Sequence, residues 1–328
     1  MKVCRWLPLL ILFHTTATHA WDQKGHRVVA AVAWDHMDAT TRTKAVAILR
    51  GAANDSDLLA VDVDSALPQA ARDRELFLRA ATWPDIVRNF GHPARRKKYH
   101  QSTWHYVNIF WQERGRKPYE RKDLKPQGQL ITRLGVLDTA LRTGNTGGAP
   151  PANSGESIQP LTAADRAIAL AWFEHLAGDI HQPLHVTARI TAFEQKGDQG
   201  GNGFCLGKTH PVGAHDCSFN LHALWDDLLT TRRRAESVDA IAASLQQARQ
   251  RTSPSYGGHG KPLFIGLGKY DGWARESYKL ATTKVYPVTL FRRAKPTDAY
   301  FALALTEAEA RLALAGYRLG ESLNSILR

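Results

Sequence analysis

The sequence predicts an all-α, mainly helical protein organised as a single multi-helix domain over residues 21–328. Apolar residues recur at helical spacing through most of the chain, strand-like alternation is confined to short runs, and no low-complexity linker divides it. A hydrophobic content of 43% beside 23% charged residues is that of a globular chain with a core.

Residues 1–20 carry Lys2 and Arg5, a short apolar run over 6–13 and a polar stretch closing on Thr18-His19-Ala20, the pattern of an export signal. The apolar run is too short to span a bilayer. Cleavage there makes Trp21 the first residue and predicts a secreted or periplasmic protein. No apolar run of spanning length follows, so no stable membrane association is expected, and a monomer is the expected state.

Helical periodicity covers residues 26–36, then a second stretch opens at Asp38 as N-cap and stops at Gly51. Further helices are expected over 73–81, 127–142, 162–180, 219–231, 234–250, 270–284 and 305–326. The Gly-, Pro- and Ser-rich segments 144–160 and 253–261 are expected surface loops. Cys205 and Cys217 remain in the exported chain, and an oxidising compartment favours a disulfide closing a small loop, worth about 3 kcal/mol in chain entropy.

The formal charge of +12 falls by two, to +10, when Lys2 and Arg5 leave. Such a surface draws polyanions without naming one. The basic clusters 95–98 and 232–234 are expected to be solvated faces able to steer an anionic substrate.

The chemistry concentrates in the run His175-Leu-Ala-Gly-Asp179-Ile-His181-Gln-Pro-Leu-His185, where His175 and Asp179 share one helical face and Pro183 is expected to end the helix. His222 and Asp226 repeat the spacing. Single pairs of this kind are commonly surface ion pairs. Their recurrence beside a further His, with Asp85 in Thr-Trp-Pro-Asp, His105 in Trp-His-Tyr and His26 close behind Trp21, points to a cation site whose imidazole and carboxylate donors suit zinc.

The ordered set Trp21, His26, Asp85, His105, His175, Asp179, His185, His222 and Asp226 resembles the metal site of the S1/P1 nuclease family. The likeness extends through Gly197-Asp-Gln-Gly-Gly-Asn202, Trp273-Ala-Arg-Glu-Ser277 and Val285-Tyr286-Pro287. The resemblance implies the fold shared by zinc phospholipase C and these nucleases, and three zinc ions. One would be held by Asp85, His105, His175 and Asp179, and a second by His185, His222 and Asp226. The third would take His26, Asp179 as a bridge, and the amine and carbonyl oxygen of Trp21. An amine still acylated by the leader cannot ligate in this way, so the precursor is expected to be inactive.

The implied reaction is hydrolysis of single-stranded DNA and RNA to 5′-phosphorylated products, with 3′-nucleotidase activity as a possible addition. Asp85, Asp179 and Arg88 form the implied catalytic set, with Arg88 reaching the scissile phosphate. Tyr106 would stack on a base whose edge Asn108 touches, which favours unpaired strands. Asp22 departs from the Gly that many relatives carry. It is expected either to alter the third zinc's surroundings or to face solvent.

His181 is expected to make a supporting hydrogen bond. His36, His92, His100, His210, His215 and His259 match no ligand position and are assigned to surface or packing. The alternatives are a zinc phospholipase C, disfavoured by Arg88, Tyr106 and the +10 charge, and a non-catalytic zinc-stabilised binding protein, disfavoured by the bridging carboxylate.

Overall fold

The computed structural model describes residues 21–59, 65–146, 159–192, 194–207, 217, 219–251 and 266–328. The expected leader, most of the loop 144–160 and all of the loop 253–261 lie outside the described residues.

Helix α1 (Gln23–His36) starts where Asp22 Oδ1 accepts from the Gly25 N–H at 2.8 Å, so Asp22 is a helix cap. α2 (Ala39–Leu49) is capped by Asp38, whose Oδ1 accepts from Thr41 N at 2.7 Å, as expected. α3 (Gln69–Ala80), the one-turn α4 (Trp83–Ile86) and α5 (Pro93–Tyr99) follow. α4 and α5 were not expected, because each is too short to display a helical period.

A small sheet comes next. β1 (Val107–Arg114) pairs antiparallel with β2 (Lys117–Glu120) and with β3 (Gln127–Gly128), and parallel with β4 (Thr187–Arg189). β3 takes the start of the stretch expected to be helical from 127, and α6 begins only at Leu130 (Leu130–Thr143). α7 (Ala163–Asp179) opens with a capping box between Thr162 and Asp165. The stretch 219–231 divides into α8 (Leu221–Asp226) and α9 (Leu228–Arg232), because Asp227 leaves helical geometry between them. That break turns Asp226 toward the site while Leu228 and Leu229 enter the core.

α10 (Val238–Arg251) precedes α11 (Tyr270–Leu280), which runs on into a π-helical turn, Ala281–Val285. α12 (Asp298–Ile326) begins earlier than periodicity suggested, because Thr297 caps it by accepting from Tyr300 N. α12 packs along α1 and also against α7, whose residues from Ala169 to Asp179 are all buried. No described helix is long and apolar enough to cross a membrane. Cys205 and Cys217 are joined as a disulfide.

Within α7, Glu174 is fully buried and neither carboxylate oxygen has a hydrogen-bond partner. Burial pushes this carboxyl well above the usual range, so the folded protein keeps a proton that the unfolded chain releases above about pH 4.3. Stability is therefore lost as pH rises from that point toward the folded value. Glu174→Gln is expected to unfold about 1–3 kcal/mol later than the parent at pH 8, with the gap narrowing toward pH 5. Parallel melting curves that show a constant gap would contradict this.

Candidate metal centre

Three helices deliver four of the acidic and imidazole groups, and α8 carries His222 and Asp226. α7 carries His175 and Asp179 on one face, α1 lays His26 flat on His175 with ring centroids 3.9 Å apart, and α4 supplies Asp85. The β1–β4 pairing joins the parts around His105 and His185, because His105 lies two residues before β1 and His185 precedes β4 in a short 3-10 turn, Pro183–Val186. The imidazole of His185 donates from Nδ1 to the His105 carbonyl at 2.8 Å.

α7 ends at Asp179, ahead of Pro183. Two groups hold the carbonyls just beyond its end. Ser277 Oγ donates to Ile180 O at 2.6 Å and Arg311 Nε donates to His181 O at 3.2 Å. His181 itself donates from Nδ1 to Ala177 O at 2.7 Å and accepts from Arg318 at Nε2, 3.0 Å, which is the supporting role expected of it. Glu276 closes the network with two bonds to Arg318 of 2.7 and 2.8 Å.

The result is three clusters of donor atoms, each drawn together within 4.8 Å: His26, His175 and Asp179; Asp85, His105 and His175; and His185, His222 and Asp226. Asp179 lies at their junction. Its Oδ2 is 3.1 Å from His105 Nδ1 and 3.3 Å from His175 Nε2, and its Oδ1 is 3.4 Å from His26 Nε2 and 3.8 Å from His185 Nδ1.

The donor set fits cations. Three imidazoles donate outward to backbone carbonyls, His175 to Ala81, His185 to His105 and His222 to Gly200, so each turns its Nε2 lone pair inward. Both oxygens of Asp85, Asp179 Oδ1, Asp226 Oδ2, both nitrogens of His26 and His185 Nε2 are buried without a hydrogen-bond partner. Orphaned polar atoms at this density are costly unless a positive ion satisfies them.

The groups of the pocket shift in both directions: burial works against a proton on His175, but the facing carboxylates of Asp179 and Asp85 outweigh it and raise this imidazole. Burial drives the His26 imidazole down to about 4, aided by neighbouring His175, and drives His222 down to about 3. Burial also works against ionisation of Asp179, but the facing imidazoles of His175, His185 and His105 outweigh it and hold this carboxyl well below the usual range. Asp226 goes the other way, pushed up by burial against one hydrogen bond from Gln182. A cation beside Asp226 would supply the charge that the protein withholds.

Trp21 is fully buried at the head of α1, and the Asp22 N–H donates to Asp226 O at 3.2 Å, tying the start of the described chain to the cluster around Asp226. Arg88 follows Asp85 with its NH2 3.5 Å from Asp85 Oδ1. Its side chain is 15% exposed, and its buried Nε and NH2 make no hydrogen bond. Tyr106 is half-buried beside His105, and Asn108, two residues on, is buried in the strand. The candidate ligands and Arg88 are thus brought to one region.

Some supporting groups were not foreseen. Gln182 donates from Nε2 to Asp226 Oδ1 at 2.6 Å and accepts from Leu184 N, which fixes Asp226 to the turn between Asp179 and His185. Asp198 accepts from Arg189 N and from the Tyr286 hydroxyl, both at 2.8 Å, and so anchors the loop that offers the Gly200 carbonyl to His222. Gly200 sits at φ +62, where a Cβ would meet Leu184 O at 2.2 Å. Gln182 and Asp198 both lie inside motifs visible in the sequence, but the partners that give them their roles, Asp226 and Tyr286, are distant in it. His100, assigned to surface or packing, is half-buried with its ring 6.4 Å from His105.

Gly178 touches the cluster from below. A Cβ there would lie 2.9 Å from His26 Nδ1, and His26 cannot retreat because His175 is stacked on it. Gly178→Ala is therefore expected to displace His26, destabilise the fold by about 1–3 kcal/mol and lower the number of bound metal ions per chain. Elemental analysis showing the parent's full metal content would refute the displacement.

The fold and site together define a mainly helical protein with buried, adjoining His/Asp clusters of a kind that can hold metal ions. A profile of the S1/P1 Nuclease family matches residues 21–328, so the chain belongs to that family. It is similar to three Arabidopsis thaliana proteins. With Endonuclease 5 it shares 29% identity over 53% of this chain and 56% of the relative. With Endonuclease 4 it shares 30% over 48% of this chain and 50% of the relative. The chain thus spans about half the length of these two. With Endonuclease 2 it shares 25% over 99% of this chain and 96% of the relative.

Proposed function

We propose that this protein is a zinc-dependent phosphodiesterase that hydrolyses single-stranded DNA and RNA to 5′-phosphorylated products, acting after export with Trp21 as its first residue. The observation that carries the proposal is the juxtaposition of three fused His/Asp clusters with an arginine that leans on Asp85 while its buried Nε and NH2 make no hydrogen bond. Family membership supports it, as do the relatives named endonucleases.

Asp85, His105, His175 and Asp179 would hold one zinc and His185, His222 and Asp226 a second; His26, Asp179 and the Trp21 amine and carbonyl would hold a third. Zinc, when bound, supplies Lewis acidity and makes water acidic enough to attack near neutral pH. The chain's own groups orient the substrate. Arg88 offers N–H donors to a phosphate oxygen lying over Asp85, and these bonds strengthen as charge grows on that oxygen. Tyr106, next to His105 in the chain, would stack its ring on an unpaired base, and Asn108 would touch that base's edge.

The test is release of acid-soluble nucleotides from single-stranded and duplex DNA and RNA by zinc-loaded protein beginning at Trp21. Chelator is expected to abolish release and zinc to restore it, duplex to be cut weakly, and one alanine placed before Trp21 to lower both zinc content and rate. Hydrolysis of phosphatidylcholine in preference to nucleic acid would replace this function with a phospholipase activity.

A further inference from the structure

We propose that Phe90 and Arg96 form a stacking platform for an unpaired nucleobase, a subsite of the substrate strand outside the cleavage centre; this rests on the nuclease function proposed above. At 69% relative exposure, Phe90 is the most exposed large apolar side chain among the described residues. It is nevertheless held. The Arg96 guanidinium lies over its ring with the carbon 4.2 Å from the centroid, and Arg96 Nε donates to the Arg88 carbonyl at 3.1 Å.

Charge separates this arginine from its neighbours. Arg95 pairs with Asp57, and Lys98 pairs with Asp55 at 2.7 Å, so part of the cluster 95–98 is neutralised. No carboxylate pairs with Arg96 among the described residues. The platform also connects to the centre. Arg96 is anchored on the backbone of Arg88, whose side chain reaches Asp85, and the ring of nearby His100 lies 6.4 Å from that of His105.

An exposed aromatic face carrying an unpaired guanidinium matches a nucleotide, with the ring taking the base and the cation its phosphate. A base locked in a duplex cannot reach such a ring. Tyr106 and Phe90 would then grip two positions of one strand, and a minimal dinucleotide would engage only the inner one.

The experiment uses zinc-loaded protein, a phosphorothioate-linked unpaired oligonucleotide for binding by anisotropy, and matched cleavable oligonucleotide and dinucleotide substrates. Phe90→Ala is expected to weaken oligonucleotide binding about tenfold, within what a base–aromatic stack is worth, and to lower the oligonucleotide-to-dinucleotide ratio of kcat/KM by a similar factor. Phe90→Trp is expected to restore both. Arg96→Gln is expected to reduce the salt dependence of oligonucleotide binding by about 0.7 in log–log slope, one phosphate contact on a single strand.

Unchanged oligonucleotide binding by Phe90→Ala overturns the platform even where the parent cleaves normally. Phe90-dependent binding by a parent that cleaves no nucleic acid would retain the platform and discard the nuclease function. Phe90-dependent binding of phosphatidylcholine vesicles, with none of the oligonucleotide, would assign the face to lipid and overturn the inference.

Discussion

Replacing Asp179 with Asn is expected to lower kcat/KM by about a thousandfold or more, roughly 4 kcal/mol of transition-state stabilisation, and to reduce bound zinc. The expectation follows from the junction that this carboxylate occupies. Its two oxygens lie within 3.1 to 3.8 Å of His105, His175, His26 and His185, so one side chain touches donors from every cluster. Asparagine keeps the shape and one carbonyl oxygen but presents an amide whose N–H groups repel a cation. The imidazoles around it would then share a pocket without the negative charge that balances their ligands.

The measurement is steady-state cleavage with zinc content on the same preparation, and circular dichroism to establish that the fold survives. Near-normal rate with full zinc would remove Asp179 from its bridging role. Normal zinc with a collapsed rate would show that the carboxylate acts on the reaction rather than on metal retention. The two results separate holding the ions from using them.

How much of this centre could be read beforehand depended on whether the information was local. His175 with Asp179 and His222 with Asp226 are legible because four residues bring side chains to one helical face. Asp22 and Asp38 are each a cap beside the helix that it starts, although only Asp38 was read as one. By contrast, Gln182 gains its role from Asp226, 44 residues away, and His181 accepts from Arg318, 137 residues away. No spacing rule reaches that far.

The sheet was hidden for a related reason. β1 is buried through its first five residues and shows no alternation, and β3 and β4 are two and three residues long. They exist because β1 pairs with them, and that pairing is what sets His105 against His185. The carbonyls of Ala81, His105 and Gly200 that orient the ligand imidazoles are invisible in any sequence, since every residue has one. Phe90 looked like an unremarked loop residue until the folded chain laid Arg96 across it.

Arg88→Ala is expected to reduce kcat by about a hundred- to a thousandfold, the loss that follows removal of one preorganised donor to developing oxyanion charge. The guanidinium is placed for this. It is mostly buried, it leans on Asp85 at 3.5 Å, and its Nε and NH2 have no other bond to satisfy. Because a phosphate oxygen carries more charge in the transition state than in bound substrate, kcat should fall further than KM rises. Arg88→Lys retains the charge but loses the planar fork, so it should recover only part of the rate. Zinc content should stay at the parent's level in both variants, since arginine ligates no metal. A rise in KM alone, with kcat intact, would make Arg88 a steering charge like those on the basic surface and leave stabilisation of the reacting phosphate to the metal ions and their ligands.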